Sequence, residues 1–178
     1  MTEEKHHADY SNIQPNTLSK QETLQHILDS YSALSYDTTN WVANLSNCSS
    51  LLWHAYHSLN TPVNWTGFYV RSTPQELILG PFQGKVACQT IRFGHGVCGT
   101  AAGKKETQLV KNVEEFPGHI ACDGETKSEI VVPIVKDGEV VGVLDLDCLI
   151  LNGFDEVDKE YLEKLCELIG DTCDWSKL

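Results

Sequence analysis

The sequence predicts an α+β sandwich: a central antiparallel sheet of about six strands with helices at the N- and C-terminal ends. Three observations predict it. Helical periodicity occupies the stretch after the first residues and the end of the chain. Short β-branched and aromatic runs separated by turn residues fill the middle. The clearest two of these runs are joined by Asp137-Gly138, which fits a type I′ hairpin and not a crossover. At 178 residues the chain is long enough for one domain with a proper core. No internal repeat or second domain is visible.

Residues 1–18 are polar and aperiodic and read as a flexible arm, leaving 19–178 as the single domain. Ser19-Lys-Gln-Glu22 forms a capping box, and Leu24, Ile27, Leu28, Tyr31 and Leu34 follow at helical spacing. A second helix is expected from near Asp37, with Trp41, Leu45, Cys48, Leu52, Ala55 and Leu59 as its apolar stripe; Cys48 on that stripe reads as packing. Residues 65–71 and 76–80 flank a turn at 72–75. In the first of these strands Trp65, Gly67 and Tyr69 share a face. A short strand at 89–93, a short helix at 97–104 and a strand at 108–112 follow. The hairpin of 129–135 and 140–147 precedes a helix capped near Asp155, with Val157, Tyr161, Leu165, Leu168 and Ile169 on its apolar face. Cys166 and Cys173 on that helix default to packing.

Net charge is −12 with no basic cluster, which argues against binding nucleic acid or anionic lipid. No apolar run approaches the roughly 20 residues of a membrane span. The start of the chain has no apolar core of a secretory signal. The seven cysteines are an odd number and cannot all pair within one chain, so mostly reduced thiols and a cytoplasmic location are expected.

Candidate chemistry concentrates between Pro81 and Asp147. Asp145 and Asp147 sit two apart on one strand face, where aspartate is depleted and like charges repel. They read either as a strand end emerging into water or as a carboxylate cluster that binds an ammonium group or donates a proton. Regular hairpin register pairs residue 129 with 146, which points Glu129 away from both. A one-residue bulge, or a strand beginning only after Glu129, would bring it to their side, and Pro133 marks a bulge or an edge. Cys88, Cys98 and Cys122 lie in glycine-rich segments, the last two each three residues after a histidine. His95/Cys98 and His119/Cys122 could be zinc ligands, but there is no paired-cysteine signature and Cys88 is left over. Alternatively, Cys122 is a nucleophile and Cys88 or Cys98 its resolving thiol. Gly94-His-Gly-Val-Cys98-Gly satisfies a dinucleotide-fingerprint spacing but lacks the enclosing βαβ unit. Its glycines could still open a short helix whose N–H groups face a carboxylate.

Several separate motifs then agree in order. Gly80-Pro-Phe-Gln-Gly-Lys85 with Cys88, Gly94-His-Gly-Val-Cys98-Gly, Phe116-Pro-Gly-His119-Ile-Ala-Cys122-Asp123, Ser128-Glu129 and Gly142-Val-Leu-Asp145-Leu-Asp147 resemble the free methionine-(R)-sulfoxide reductases, single-domain enzymes of the GAF fold. The resemblance runs from about Ser19 to the C-terminus. It implies reduction of free L-methionine (R)-sulfoxide, with Cys122 as catalytic cysteine, Cys88 as main resolving cysteine and Cys98 as an additional thiol. It also implies substrate binding by Glu129, Asp145 and Asp147, with Trp65 and Tyr69 around the methyl end. No bound cofactor is expected; thioredoxin, recharged from NADPH, would be the external reductant, and members of the family often form homodimers. The rival readings are a GAF-type sensor that binds a small ligand without turnover and a structural zinc protein.

Overall fold

A computed structural model of the chain describes residues 13–119 and 123–178. In order come α1 (Lys20–Leu34), α2 (Trp41–Ser58), β1 (Val63–Thr73), β2 (Glu76–Gly84), β3 (Thr90–Arg92), α3 (Gly96–Lys104), β4 (Gln108–Val110), β5 (Ser128–Lys136), β6 (Glu139–Cys148) and α4 (Glu156–Thr172). The six strands make one sheet in the order β3-β2-β1-β6-β5-β4, every neighbouring pair antiparallel.

The helix starts follow from their caps. Ser19 and Glu22 make the expected capping box at α1, and Asp155 with Asp158 makes another at α4. The second helix begins later than Asp37 because Asn40 is its cap, accepting from the Ala43 N–H at 3.2 Å. Of residues 1–18, those from Ile13 onward are described: Ile13 packs against the core, and the Asn16 N–H donates to the Ser58 carbonyl.

Alternation along the strands divides the interior in two. One face of the sheet, with Phe68, Val70, Ile130, Val132, Ile134, Leu144 and Leu146, packs on α1, α2 and α4. That core also contains Cys48, Cys148, Cys166 and Cys173, the last as the C-cap of α4. The other face, with Trp65, Tyr69, Val131 and Val143, packs on α3 through Val97, Cys98, Ala101 and Ala102.

Two irregularities set which residues reach that second face. In the β5–β6 hairpin, Val135 pairs with Val140 but Ile134 with Gly142, leaving Val141 as an extra residue. From there on Val131 opposes Asp145 and Glu129 opposes Asp147. Pro133 stays in register opposite Val143. It is tolerated because β4 pairs only as far as Val131, so β5 is an edge beyond it. The second irregularity lies between Val63 and Trp65 in the β1–β6 pairing, at Asn64. Among the described residues, no helix is long and apolar enough to cross a membrane.

Candidate active site

Two cross-strand rows build the site on the α3 side of the sheet. One runs Glu129, Asp147, Trp65 and Gly84; the next runs Val131, Asp145, Gly67 and Phe82. Three carboxylates and two aromatic rings therefore share one small area of sheet. Trp65 stacks on Tyr69 with centroids 5.8 Å apart and on Phe82 at 5.2 Å. Gly67 makes this possible: a Cβ there would lie 2.3 Å from Phe82 Cβ and 2.9 Å from the Pro81 carbonyl oxygen.

Between this surface and α3 lies a cavity of about 110 Å³. One water needs roughly 10–15 Å³ on the same measure, so the space suits a ligand the size of an amino acid. Its walls include Trp65, Tyr69, Cys88, Cys98, His119, Glu129, Asp145 and Asp147, with His95, Gly96 and Val97 from the start of α3. The glycine spacing here serves packing: a Cβ on Gly99 would lie 2.2 Å from the Arg92 carbonyl oxygen. The first turn of α3 thus sits at the cavity, where its N–H groups lack partners within the helix.

The acids are held in an unusual state. Glu129 and Asp145 are each 6% exposed. Burial and then the charge of Asp147 push Glu129 well above the usual carboxylate range; burial and then Glu129 do the same to Asp145. Asp147 keeps some surface toward the cavity but is otherwise enclosed, and burial, followed by Asp145 and Asp123, raises it too. The Cys98 thiol donates to Asp145 Oδ2 at 3.3 Å. Asp145 Oδ1 is buried and faces no hydrogen-bond donor among the described residues, so a shared proton or a cationic ligand group is needed to satisfy it. His119 Nε2 lies 3.6 Å from Glu129 Oε2, and burial lowers the imidazole below its ordinary range.

Donor atoms of Cys98, Glu129 and Asp145 lie within 4.8 Å of one another, a trio that could hold a metal ion. Among the described residues His95 and His119 do not join Cys98 in such a group. Cys98, Cys48, Cys148, Cys166 and Cys173 are free thiols, whereas Cys88 is disulfide-bonded. Cys122 lies outside the described residues. Burial and the neighbouring Asp145 and Glu129 push the Cys98 thiol well above its usual range.

Comparison with known proteins gives the context. The GAF domain model matches residues 17–173. Free methionine-R-sulfoxide reductase of Saccharomyces cerevisiae is 63% identical over 171 residues, covering 94% of this chain and 94% of that one. The chain belongs to this reductase family. A solved GAF-domain structure is 60% identical, with a TM-score of 0.93, covering 98% of this chain and 99% of that chain. The Neisseria meningitidis free methionine-R-sulfoxide reductase, solved in complex with its substrate, has a TM-score of 0.83 at 38% identity, covering 93% and 96%. The six-stranded α+β fold expected from the sequence is the GAF fold of these relatives.

Within this reductase fold, the sequence-predicted Trp65, Tyr69, Cys88, Cys98, Glu129, Asp145 and Asp147 come together around one cavity. Sequence reasoning missed Phe82, Lys85, Asp123 and Thr126. Lys85 bridges Asp123 and Glu125 across the cavity mouth. Asn64 Nδ2 donates to Asp123 Oδ2 at 3.2 Å and to Thr126 Oγ1 at 3.0 Å. Only the Gly-Lys85 motif and the residue after Cys122 hinted at these contacts; they join segments far apart in sequence.

Proposed function

We propose that this chain reduces free L-methionine (R)-sulfoxide to methionine, using Cys122 as nucleophile and Cys88 as main resolving thiol. The single observation that carries the reading is the cluster of Glu129, Asp145 and Asp147 facing stacked Trp65 and Tyr69 inside an amino-acid-sized cavity that Cys88 also lines. The family membership and the substrate named for the Neisseria relative support it.

The chemistry follows from the residues. The ammonium group of the substrate goes to the acidic cluster, its carboxylate to the N–H groups opening α3, and its methyl end to the aromatic wall. The Cys122 thiolate attacks the sulfoxide sulfur while a carboxylic acid of the cluster, kept protonated by burial and by its neighbours, protonates the departing oxygen. The protonated oxygen passes from the substrate sulfur to the Cys122 sulfur, so methionine leaves and Cys122 becomes a sulfenic acid. Condensation with the Cys88 thiol forms a disulfide and water. The Cys88 disulfide and the free Cys98 thiol support this order of use. Thioredoxin restores both thiols by exchange, with NADPH as the ultimate electron source.

A peptide-bound sulfoxide lacks the free ammonium and carboxylate, so binding it would leave buried acids and N–H groups unpaired. We read residues 19–178 as the GAF domain that does this work in the cytoplasm, residues 1–18 as an arm, and a homodimer as its assembly.

The test uses separated sulfoxide epimers with thioredoxin, thioredoxin reductase and NADPH. NADPH oxidation is expected with the free R epimer alone, and none with Cys122→Ser. A parallel reaction with dithiothreitol, scored by methionine formed, separates a wrong reductant from a wrong activity. No methionine in either reaction would make the protein a ligand-binding sensor.

A further inference from the structure

We propose that Lys85 is a positioning residue for disulfide formation: a cationic clasp that holds the segment carrying Cys88 against the segment that follows Cys122. The inference rests on the roles given above to those two cysteines. Lys85 is three residues before Cys88, and Asp123 is the next residue after Cys122. Lys85 Nζ lies 3.4 Å from Asp123 Oδ2 and also bonds Glu125 Oε2.

Each half of the clasp is anchored separately to β1. The Trp65 indole N–H donates to the Lys85 carbonyl at 3.2 Å, fixing the first segment. Asn64 binds Asp123 and Thr126, fixing the second. Consecutive residues of a regular strand point to opposite faces. The irregular pairing between Val63 and Trp65 relaxes that alternation at Asn64, so adjacent residues serve the two segments at the same sheet end. Asp123 further accepts from the Glu125 N–H at 3.0 Å, which sets the turn so that both carboxylates face Lys85. Among the described residues, the Lys85 ion pairs link one anchored half to the other.

This geometry matters at one step. When the Cys88 thiol attacks the Cys122 sulfenic sulfur, an S–S bond forms, the S–O bond breaks and the hydroxyl leaves as water with the thiol proton. The step requires the two Cα atoms within roughly 4.4–6.8 Å. Before the bond exists, the disulfide itself contributes nothing to holding the segments at that distance. The clasp is seen here with Cys88 disulfide-bonded, but it uses no sulfur atom, and in the reduced chain the same ion pairs would raise the effective concentration of one thiol at the other.

The experiment is single-turnover mixing of reduced, full-length protein with free methionine-(R)-sulfoxide. It follows methionine release and disulfide formation separately and traps sulfenic acid with a 1,3-dione. Lys85→Ala should slow disulfide closure roughly three- to ten-fold relative to its own first methionine release, the range expected for loss of one or two exposed ion pairs. Sulfenic acid should accumulate in that variant. Lys85→Arg should restore closure. Added salt should slow closure in the native chain and leave Lys85→Ala unchanged. Equal closure rates in native and Lys85→Ala protein would overturn the proposal, as would an equal slowing of both steps that Lys85→Arg does not rescue. Absence of a methionine burst from the native protein would instead defeat the underlying reading of Cys122.

Discussion

Glu129 lies directly opposite Asp147 on the neighbouring strand, with Asp145 on the same face of the sheet. Two acids facing each other across a ladder repel, and burial adds to the cost of charging either one.

The first prediction follows from that cost. Unfolded, these groups titrate at about 3.9 for Asp and 4.3 for Glu. Folded, all three are raised, so the native protein holds protons that the unfolded chain has released. The stability this contributes is complete below about pH 4 and is lost as pH rises through the raised native values. Asp147→Asn should therefore stabilise the substrate-free protein by roughly 1–3 kcal/mol near neutral pH, and progressively less as pH falls toward about 4. Its turnover should fall by about 100-fold or more. Thermal melts across pH, set beside the activity assay, check both halves.

Cys88→Ser should leave a reduced rate through Cys98. That thiol is buried and donates to Asp145, and its raised pKa leaves little thiolate to attack a sulfenic acid. Steady-state turnover should drop about ten-fold or more and recover partly as pH rises. Substituting Cys98 as well should leave a single equivalent of methionine per chain, measurable by quenched mixing.

Gly67→Ala tests the packing that opens the cavity. The added methyl would meet Phe82 Cβ and the Pro81 carbonyl well inside van der Waals contact, and backbone cannot yield as a flexible side chain can. A loss of about 1–3 kcal/mol is expected in denaturant titration. The displaced Phe82 ring should weaken substrate binding by disturbing Trp65, and intrinsic tryptophan fluorescence would report that change.

Asp158 supplies a contrast away from the site. It is fully buried, accepts from Tyr56 at 2.8 Å and from the Asp155 N–H at 2.7 Å, and pairs with Lys20 at 2.5 Å. Asp158→Ala should cost about 1–3 kcal/mol, because the Tyr56 phenol and the Asp155 N–H lose their acceptor together while Lys20 keeps Asp155 at 3.0 Å. Folded molecules of that variant should keep native substrate affinity, which calorimetry on the surviving fraction would show.

The fold was legible where the signals are local. Capping residues, the Asp137-Gly138 turn and strand alternation need only neighbours in the chain, and they placed Trp65, Gly67 and Tyr69 on one face and Asp145 with Asp147 on another strand's matching face. The need for an irregularity to bring Glu129 across was also readable. Its location was not: Pro133 drew attention, yet the extra residue is Val141 on the partner strand, where packing of the hairpin decides and no residue type announces it. Asp37 and Asn40 are equally good caps by composition, and only the tertiary course of the chain selects Asn40. The Lys85 contacts join positions about forty residues apart on exposed segments, a relation that no spacing rule encodes.

The sheet has one more consequence, for how the protein tolerates its own chemistry. Cys48, Cys148, Cys166 and Cys173 all lie in the helical core, whereas Cys88 and Cys98 open onto the cavity on the opposite side. The strands act as a bulkhead between a dry hold of inert sulfur and the working compartment. Repeated oxidation and reduction can then proceed without scrambled bonds reaching the sulfur that packs the frame.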